Sequence, residues 1–427
     1  HRLMGKAGFA HLQDQTGRIQ IYCREDVLGE KNYKYFSVSD LGDIVGIQGT
    51  IFRTKMGEIT IKVKKFQLLA KCLRPLPEKW HGLKDMEQRY RYRYLDLISN
   101  PEVKQIFFKR SKIINTVRNV LDKQQFLEVD TPILQPLYGG ANARPCKTFL
   151  HDLKMDVYMR VSDELYLKRL VVGGFEKVYE IGRDFRNESI DRTHNPEFTM
   201  MECYWAYADY HDVMELTQDI FTTVAKEVIG TLTLEYQGHK IDMKAPWQRL
   251  TMKEALKKYT AVDFDKLKDA ELKKLVNQHK LELSEKATKG MILAALFDEL
   301  VEEQLIQPTF ITDYPCETTP LCKPKRDGPE EIIERFELFI AGMEFANAYS
   351  ELNDPVLQKK FFDLQKKAVK KKEEQHPVDL DYLKAMEYGM PPMGGLGIGI
   401  DRMIMLFTNS ASIRDVILFP FMKQEED

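Results

Sequence analysis

From Gly8 to Tyr22 the chain reads GFAHLQDQTGRIQIY. Apolar positions alternate with polar ones through Ala10 and Leu12, break at Asp14 to Gly17, and alternate again through Ile19 and Ile21. That period of two predicts a hairpin, and IFRTKMGEITIKV (residues 51–63) predicts a second. Residues 71–100 change character, with the Pro-punctuated RPLPEKWHGL followed by the basic, aromatic RYRYRYLDL, and read as a linker. Beyond it, Ile113, Ile114, Val117, Val120 and Leu121 recur at helical spacing, and FLEVDTPIL predicts a short strand broken at Pro132. From there to about 250, and again from 306 to the end, strands and helices mix as in an α+β fold with an antiparallel sheet. Residues 251–305 are Lys/Glu/Leu-rich and read as a helical insertion, and KKAVKKKEEQ (366–375) as a solvated helix end.

The first 70 residues therefore predict a small all-β Greek-key barrel of the OB-fold kind. With Ala10, Leu12, Ile19 and Ile21 pointing inward, Phe9, His11, Gln20 and Tyr22 point outward. An exposed aromatic beside amides suits unstacked bases, while an aromatic covered by a neighbouring loop would give the same pattern.

Near the other end, GGLGIGIDRM (394–403) puts Gly395, Gly397 and Gly399 on one face of a strand and Leu396, Ile398 and Ile400 on the other. The spacing fits neither a dinucleotide turn nor a P-loop. It leaves two readings: a flat ligand lying on bare backbone, or a helix packed closely on the sheet. Three further stretches put polar residues where a core strand would be apolar: Arg186 and Glu188 in FRNE, Glu202 and Tyr204 in FTMMECY, and Asn347, Tyr349 and Glu351 in FANAYSELND. Buried charge persists only when paired, so these imply a polar pocket inside the sheet. Its glutamates outnumber its arginine, which predicts a cationic ligand carrying one anionic group for Arg186.

Charge and composition narrow the picture further. The net charge of −2 argues against a chain that coats nucleic acid through its overall field, yet residues 1–70 hold 11 Lys/Arg against 7 Asp/Glu, enough for a locally basic surface. Six scattered cysteines without a C-x-x-C pair suggest neither a zinc knuckle nor a disulfide framework, and point to a reducing, cytoplasmic setting. No apolar run is long enough for a membrane span, and the opening His1 suggests that N-terminal residues precede it.

FLEVDTPIL, FRNESIDRTHNPEF (185–198) and GLGIGIDR (395–402), in that order, resemble the three signature motifs of the class II aminoacyl-tRNA synthetases. DELYLKRLVVGG, HNPEFTMMECYWAYADY and SELNDP resemble the bacterial and organellar lysyl-tRNA synthetases in particular. The resemblance spans essentially the whole chain. It implies an anticodon-binding OB domain over 1–70 with Arg2, Phe9, Gln20 and Glu58 as contacts, a linker over 71–100, and a catalytic domain over 101–427.

The same resemblance implies site roles. Arg186 and Arg402 would be catalytic. Asn187, Glu188, His194, Asn195, Phe198, Glu344, Phe345, Gly395, Gly397 and Gly399 would join those two arginines around ATP. Lysine would meet Gly140, Glu164, Arg186, Glu202, Tyr204, Asn347, Tyr349 and Glu351, with Glu337 and Glu344 binding Mg²⁺. The implied activity is ATP-dependent ligation of L-lysine to tRNA(Lys) through a lysyl-adenylate, with release of pyrophosphate and AMP, by a cytoplasmic homodimer. The chain departs from the family pattern at Cys146, at Ser162–Asp163 and at Met343, which leaves the loop geometry around Gly140 and Glu164 open. Glu202 and Glu351 speak against the aspartyl and asparaginyl relatives. The OB domain speaks against the paralogue that modifies elongation factor P. The retained Arg186, Glu188 and Arg402 speak against a tRNA-binding protein that has lost catalysis.

Overall fold

The computed structural model describes residues 1–77, 83–284, 287–368 and 377–424. Its contacts divide the chain into two compact units, His1–Pro101 and Glu102–Asp427.

The first unit is built on β1 (Arg2–Met4), β2 (Ala7–Gln13), β3 (Arg18–Arg24), β4 (Ile44–Arg53) and β5 (Ile59–Ala70), hydrogen-bonded in the order β1-β2-β3-β5-β4. The expected β2–β3 turn is closed by Asp14, whose Oδ1 accepts from the N–H groups of Thr16 (2.7 Å) and Gly17 (3.0 Å). The unit is not all-β, because helices Glu25–Leu28 and Glu30–Ser37 lie between β3 and β4. Leu28, Tyr33 and Phe36 on them are buried against Ile21, Cys23, Val63 and Phe66 and complete the core of the barrel. Their apolar residues are too few for a period of 3.6 to stand out in the sequence.

The segment expected as a linker is helical over Met86–Arg91 and Arg93–Ser99. Buried Asp96 takes both Arg89 Nε (2.8 Å) and the buried Arg93 Nη1 (2.7 Å), so part of the basic, aromatic run is an internal ion-pair network. Residues 78–82 of that segment, and 369–375 of the expected solvated helix end, lie outside the described residues.

The second unit adds β6 (Leu127–Glu128), β7 (Leu134–Gln135), β8 (Lys147–Leu150), β9 (Met155–Met159), β10 (Lys177–Phe185), β11 (Glu197–Ala206), β12 (Thr233–Tyr236), β13 (His239–Asp242), β14 (Gln248–Thr251), β15 (Thr309–Pro315), β16 (Ile332–Ile340), β17 (Met343–Ser350) and β18 (Met393–Gly399). One large sheet runs β14-β15-β16-β17-β18-β11-β10-β6, antiparallel except for the parallel pairs at its two edges. Met201, Cys203, Phe336, Leu338, Ala346, Ala348, Leu396 and Ile398 turn one face of it into the main core, which also takes in helices Pro101–Lys123, Tyr210–Val224 and Ile400–Thr408. Helices Met252–Thr260, Asp269–Gln278 and Lys289–Leu300 build a second cluster around Leu256, Leu272, Leu293 and Phe297. The first of them starts on a capping box in which Thr251 Oγ1 accepts from Glu254 N (3.1 Å) and Thr251 N donates to Glu254 Oε2 (2.8 Å). Among the described residues no helix is long and apolar enough to cross a membrane.

Candidate functional site

Register places the polar face. Across β16, β17, β18, β11 and β10 one row reads Arg335, Tyr349, Gly395, Tyr204, Val178, and the next reads Glu337, Asn347, Gly397, Glu202, Glu180. Each row has a glycine at its centre, so the strand between the two polar banks has no side chain rising from it. Above it lies a cavity of about 740 Å³. The two readings of the glycine stretch divide between its members. A Cβ on Gly394 would meet Val213 on helix Tyr210–Val224, which is close helix packing. Gly397 and Gly399 line the cavity, and a Cβ on either would come no nearer than 3.3 Å to any neighbour. Gly395, expected around ATP, also lines the cavity, and a Cβ there would strike Glu351 Oε1 and Tyr204 Cε1 at its acidic end.

Arg186 and Glu188 do not share a strand face as their spacing predicts. β10 ends at Phe185, and both stand in the loop that follows. Backbone bonds hold the loop, from Arg186 N to Pro196 O (2.9 Å) and from Asn187 N to Arg144 O (2.8 Å). The Arg186 guanidinium lies over the Phe198 ring at 5.0 Å, and its Nε donates to Val161 O (3.3 Å). Glu188 lines the cavity, whereas the exposed Asn187 does not. Asn195 also lines it, but its amide is engaged, donating to Glu197 O (2.6 Å) and accepting from Phe421 N (3.3 Å).

Arg402 enters from the first turn of helix Ile400–Thr408, with Nη1 donating to Glu344 O (2.8 Å) and Nη2 standing 3.4 Å from His194 Nε2. Its neighbour Asp401 fixes that turn: its carboxylate takes Arg110 Nη1 (2.5 Å) and Thr199 N (2.6 Å), tying the helix to β11 just beyond Phe198. Neither Asp401 nor Arg110 stood out as a positioning group in the sequence, since they lie 291 residues apart.

Glu344 joins Asn347 and Tyr349 on the cavity only because β17 carries a bulge. Leu338 pairs Ala346 while Phe339 pairs Glu344, and the unpaired Phe345 reverses the alternation. Phe345 is expected at the nucleotide, but its ring is buried in the core beside Phe221 (6.1 Å), leaving its backbone for the cavity. Glu337 takes the Tyr314 hydroxyl (2.8 Å) and pairs with Arg335, whose Nε also donates to Asn347 Oδ1 (3.1 Å). Asn347 Nδ2 then donates to the Tyr349 hydroxyl (2.9 Å). Burial pushes Glu337 up to about 7 against the pull of Arg335, with the charge of Glu344 adding to the rise. Burial likewise lifts Glu302 to about 7, with Asp298 and Glu344 contributing. Glu337 and Glu344 both line the cavity, and their carboxylate oxygens are of the hard kind that a divalent cation takes.

At the acidic end, Gly140 (φ 89°) approaches so closely that a Cβ would lie 2.8 Å from Ser162 Oγ and 3.2 Å from Glu164 Cβ. Ser162 Oγ donates to Glu202 Oε1 (2.9 Å) and accepts from Glu164 N (3.1 Å), and the Tyr204 hydroxyl donates to Glu202 Oε2 (3.1 Å). The departure at Ser162 therefore helps build the wall of the cavity, while Asp163 is buried beside Glu202 and does not line it. Oxygens of buried Asp163, Asp184 and Glu202 lie within 4.8 Å of one another. Burial first, then the charges of Glu202 and Asp184, hold the Asp163 carboxyl well above the usual range. Buried Arg160 stands 3.1 Å from Asp184 and supplies the local counter-charge. Glu351 follows β17 directly, and Lys168 Nζ joins it to Glu164 in an ion-pair bridge that the pattern of the sequence does not reveal.

On the barrel, the row Arg2–Phe9–Tyr22 and the row His11–Gln20–Thr60 lie side by side. Phe9 stacks on Tyr22 at 4.7 Å, and Phe52 leans on Tyr22 at 6.2 Å. Glu58 accepts from Gln20 Nε2 (2.7 Å) and stands 3.1 Å from His11 Nε2. The expected Arg2, Phe9, Gln20 and Glu58 thus sit together on one surface.

The family model for class II tRNA synthetases (D, K and N) matches residues 85–423, and one for an OB-fold nucleic-acid-binding domain matches residues 1–69. The chain is similar to a lysine–tRNA ligase of Pelotomaculum thermopropionicum, 57% identical over 429 residues that take in 100% of this chain and 85% of that one. It is similar to another of Thermoanaerobacter sp. strain X514, at 55% identity over 100% of this chain and 86% of the relative. A third, of Bacillus cytotoxicus, is 52% identical over 99% and 85%. With such relatives along its whole length, and with the second and third of the family's motifs meeting around one cavity, the chain belongs to the class II tRNA synthetases of the D, K and N group.

Proposed function

We propose that the chain ligates L-lysine to tRNA in two steps, forming lysyl-adenylate from lysine and ATP and passing the lysyl group to the 3′ end of tRNA(Lys). The observation that carries this reading is the buried acidic end of the cavity, where Glu164, Glu202 and Glu351 converge with Tyr204. An unpaired buried ammonium costs several kcal/mol, so a ligand with an ammonium at each end matches these carboxylates, whereas a side-chain carboxylate or amide does not.

Phe198 would stack on adenine, with Gly397 and Gly399 as the bare strand beneath the nucleotide. Arg186 would hold the lysine carboxylate and the α-phosphate together, as its planar fork suits two anions. A carboxylate oxygen attacks the α-phosphorus in line and pyrophosphate leaves. The tRNA terminal ribose hydroxyl then attacks the lysyl carbonyl and AMP leaves. No side-chain nucleophile is required, and rate comes from positioning and charge neutralisation by Arg186 and Arg402. Glu337 and Glu344 would hold Mg²⁺, which when bound supplies positive charge to the β- and γ-phosphates. His194, beside Arg402, belongs to the outer-phosphate end of the same reading.

Lysine-dependent exchange of labelled pyrophosphate into ATP tests the reading. Exchange with lysine and none with aspartate is expected, and the reverse would overturn it. A homodimer is part of the proposal, supported by exposed Leu127, Leu134, Phe149 and Leu150 along β6, β7 and β8. A cytoplasmic location is proposed with it.

The barrel surface would read the anticodon through Phe9 and Gln20. Base-on-aromatic stacking contributes about 1–3 kcal/mol per base, so Phe9→Ala is expected to raise the KM for tRNA in charging by roughly ten- to a hundredfold while leaving pyrophosphate exchange unchanged. Equal loss in both assays would make Phe9 structural.

A further inference from the structure

Lys168 is 0% exposed, on helix Glu164–Val172, and its Nζ lies 2.5 Å from Glu164 Oε1 and in ion-pair contact with Glu351 Oε2. The same ammonium stands 5.7 Å above the Tyr204 ring. Glu164 and Glu351 are two of the three carboxylates matched above to the ammonium groups of lysine, so the protein carries its own ammonium among the acceptors for its ligand. Glu351 is divided: Oε2 faces Lys168, while Oε1 lies against the backbone of Gly395 on the cavity floor and accepts no hydrogen bond from the described residues.

We propose that Lys168 is a positioning residue for the amino-acid substrate, a built-in counter-ion that clamps Glu164 and Glu351 together and sets the net charge that a diamine ligand must match. The inference rests on the lysine-ligating reading. The charges support it. Once Glu351 has lost its proton, Glu164, Glu202 and Glu351 with Lys168 among them carry two net negative charges, the number carried as positive by the α- and ε-ammonium groups of lysine. Without Lys168 the three carboxylates would face two ammonium groups, and one would have to take up a proton.

Every element packed against Glu351 contributes a titratable or charged group: Lys168 and Glu164 from the helix, Glu202 and Tyr204 from β11, Tyr349 from β17, Cys322 from the bridge beside Glu351, and Tyr382 from helix Leu380–Glu387. Burial pushes Glu351 up to about 8, and Lys168 is the first of the charges that oppose that rise. The KM for lysine should therefore fall as pH rises from 7 through 8, as Glu351 loses its proton. Removal of Lys168 should carry that inflection to higher pH.

The test compares the parent protein with Lys168→Met, Lys168→Gln and Lys168→Arg in pyrophosphate exchange between pH 7 and pH 9.5. Met and Gln are expected to raise the KM for lysine at least thirtyfold at pH 7.5, to leave kcat and the KM for ATP within about threefold, and to move the inflection up by a pH unit or more. Arg, which keeps the charge, should hold the inflection near that of the parent. A lysine KM within threefold of the parent in both neutral variants overturns the proposal. So does loss of kcat and of both KM values together with an unmoved inflection. Should Met fail to fold, as read from its melting curve, Gln against Arg decides, and equal loss in those two also overturns it. If the parent exchanges with lysine and the variants fail in these ways, the ligase reading stands and this inference alone falls. If the parent does not exchange with lysine, both fall.

Discussion

Arg186→Ala is expected to lower lysine-dependent pyrophosphate exchange by about a thousandfold. A single preorganised donor aimed at developing charge is worth about two to three orders of magnitude in rate, and Arg186 would serve two anions at once. It stands in the loop after β10, with one ring face of Phe198 beneath it and Val161 O on its Nε, so its fork is already oriented before any ligand arrives. Alanine removes both the charge and the cover on Phe198. Lysine at this position would restore the charge without the bidentate geometry and should recover only part of the rate. The melting temperature should change little, because the loop is held by backbone bonds from Arg186 and Asn187 that the substitution leaves intact. Exchange within tenfold of the parent would remove Arg186 from the chemistry.

Where a site residue lies on a regular strand, its face was legible from spacing alone. Glu202 with Tyr204, and Asn347 with Tyr349, sit at successive positions of the rows that frame the cavity, and Gly397 lies between them as alternation predicts. Spacing failed where the strand is irregular or has ended. Arg186 and Glu188 satisfy the period of two by accident, since both lie beyond β10. Glu344 has the wrong parity for the face it occupies, and the bulge at Phe345 corrects it. A bulge is a choice of pairing between two strands, so one strand's pattern cannot disclose it.

Pairing over distance was the other blind spot. Lys168, read alone, is one of three charges in ELYLKRL, and Arg335 one of three in IIERFELFI on a core strand. Their meaning arises from Glu351 and Asn347, brought to them by the fold of the sheet. Asp401 is the same kind of residue, bound to Arg110 across most of the unit. The barrel reproduces the lesson on a smaller scale. Its hairpin turn at Asp14 was visible as local chemistry, while helices Glu25–Leu28 and Glu30–Ser37 were not, because Leu28, Tyr33 and Phe36 gain their burial from strands on both sides in sequence.

Glu351→Gln is expected to raise the KM for lysine by roughly a hundred- to a thousandfold, with the KM for ATP unchanged within about threefold. Removing one partner of a buried ion pair costs about 3–5 kcal/mol, because the remaining charge stays buried without compensation. Glutamine keeps the shape of the side chain against Gly395 and Tyr204, so little of this loss can come from packing. In the parent, Glu351 divides its two oxygens between Lys168 and the cavity, and in the variant Lys168 retains Glu164 alone. The pH profile separates this account from a general loss of structure. Glu351 is the group that burial lifts to about 8, so the fall in lysine KM between pH 7 and pH 9 should vanish with it. Discrimination should weaken in a defined direction as well. A ligand one methylene shorter than lysine is disfavoured in the parent by only about 1–3 kcal/mol, and with the charge at Glu351 gone that margin should shrink, while aspartate stays excluded by Glu164 and Glu202. A variant that binds lysine within tenfold of the parent would remove Glu351 from the ammonium acceptors, and the acidic end of the cavity would need another occupant.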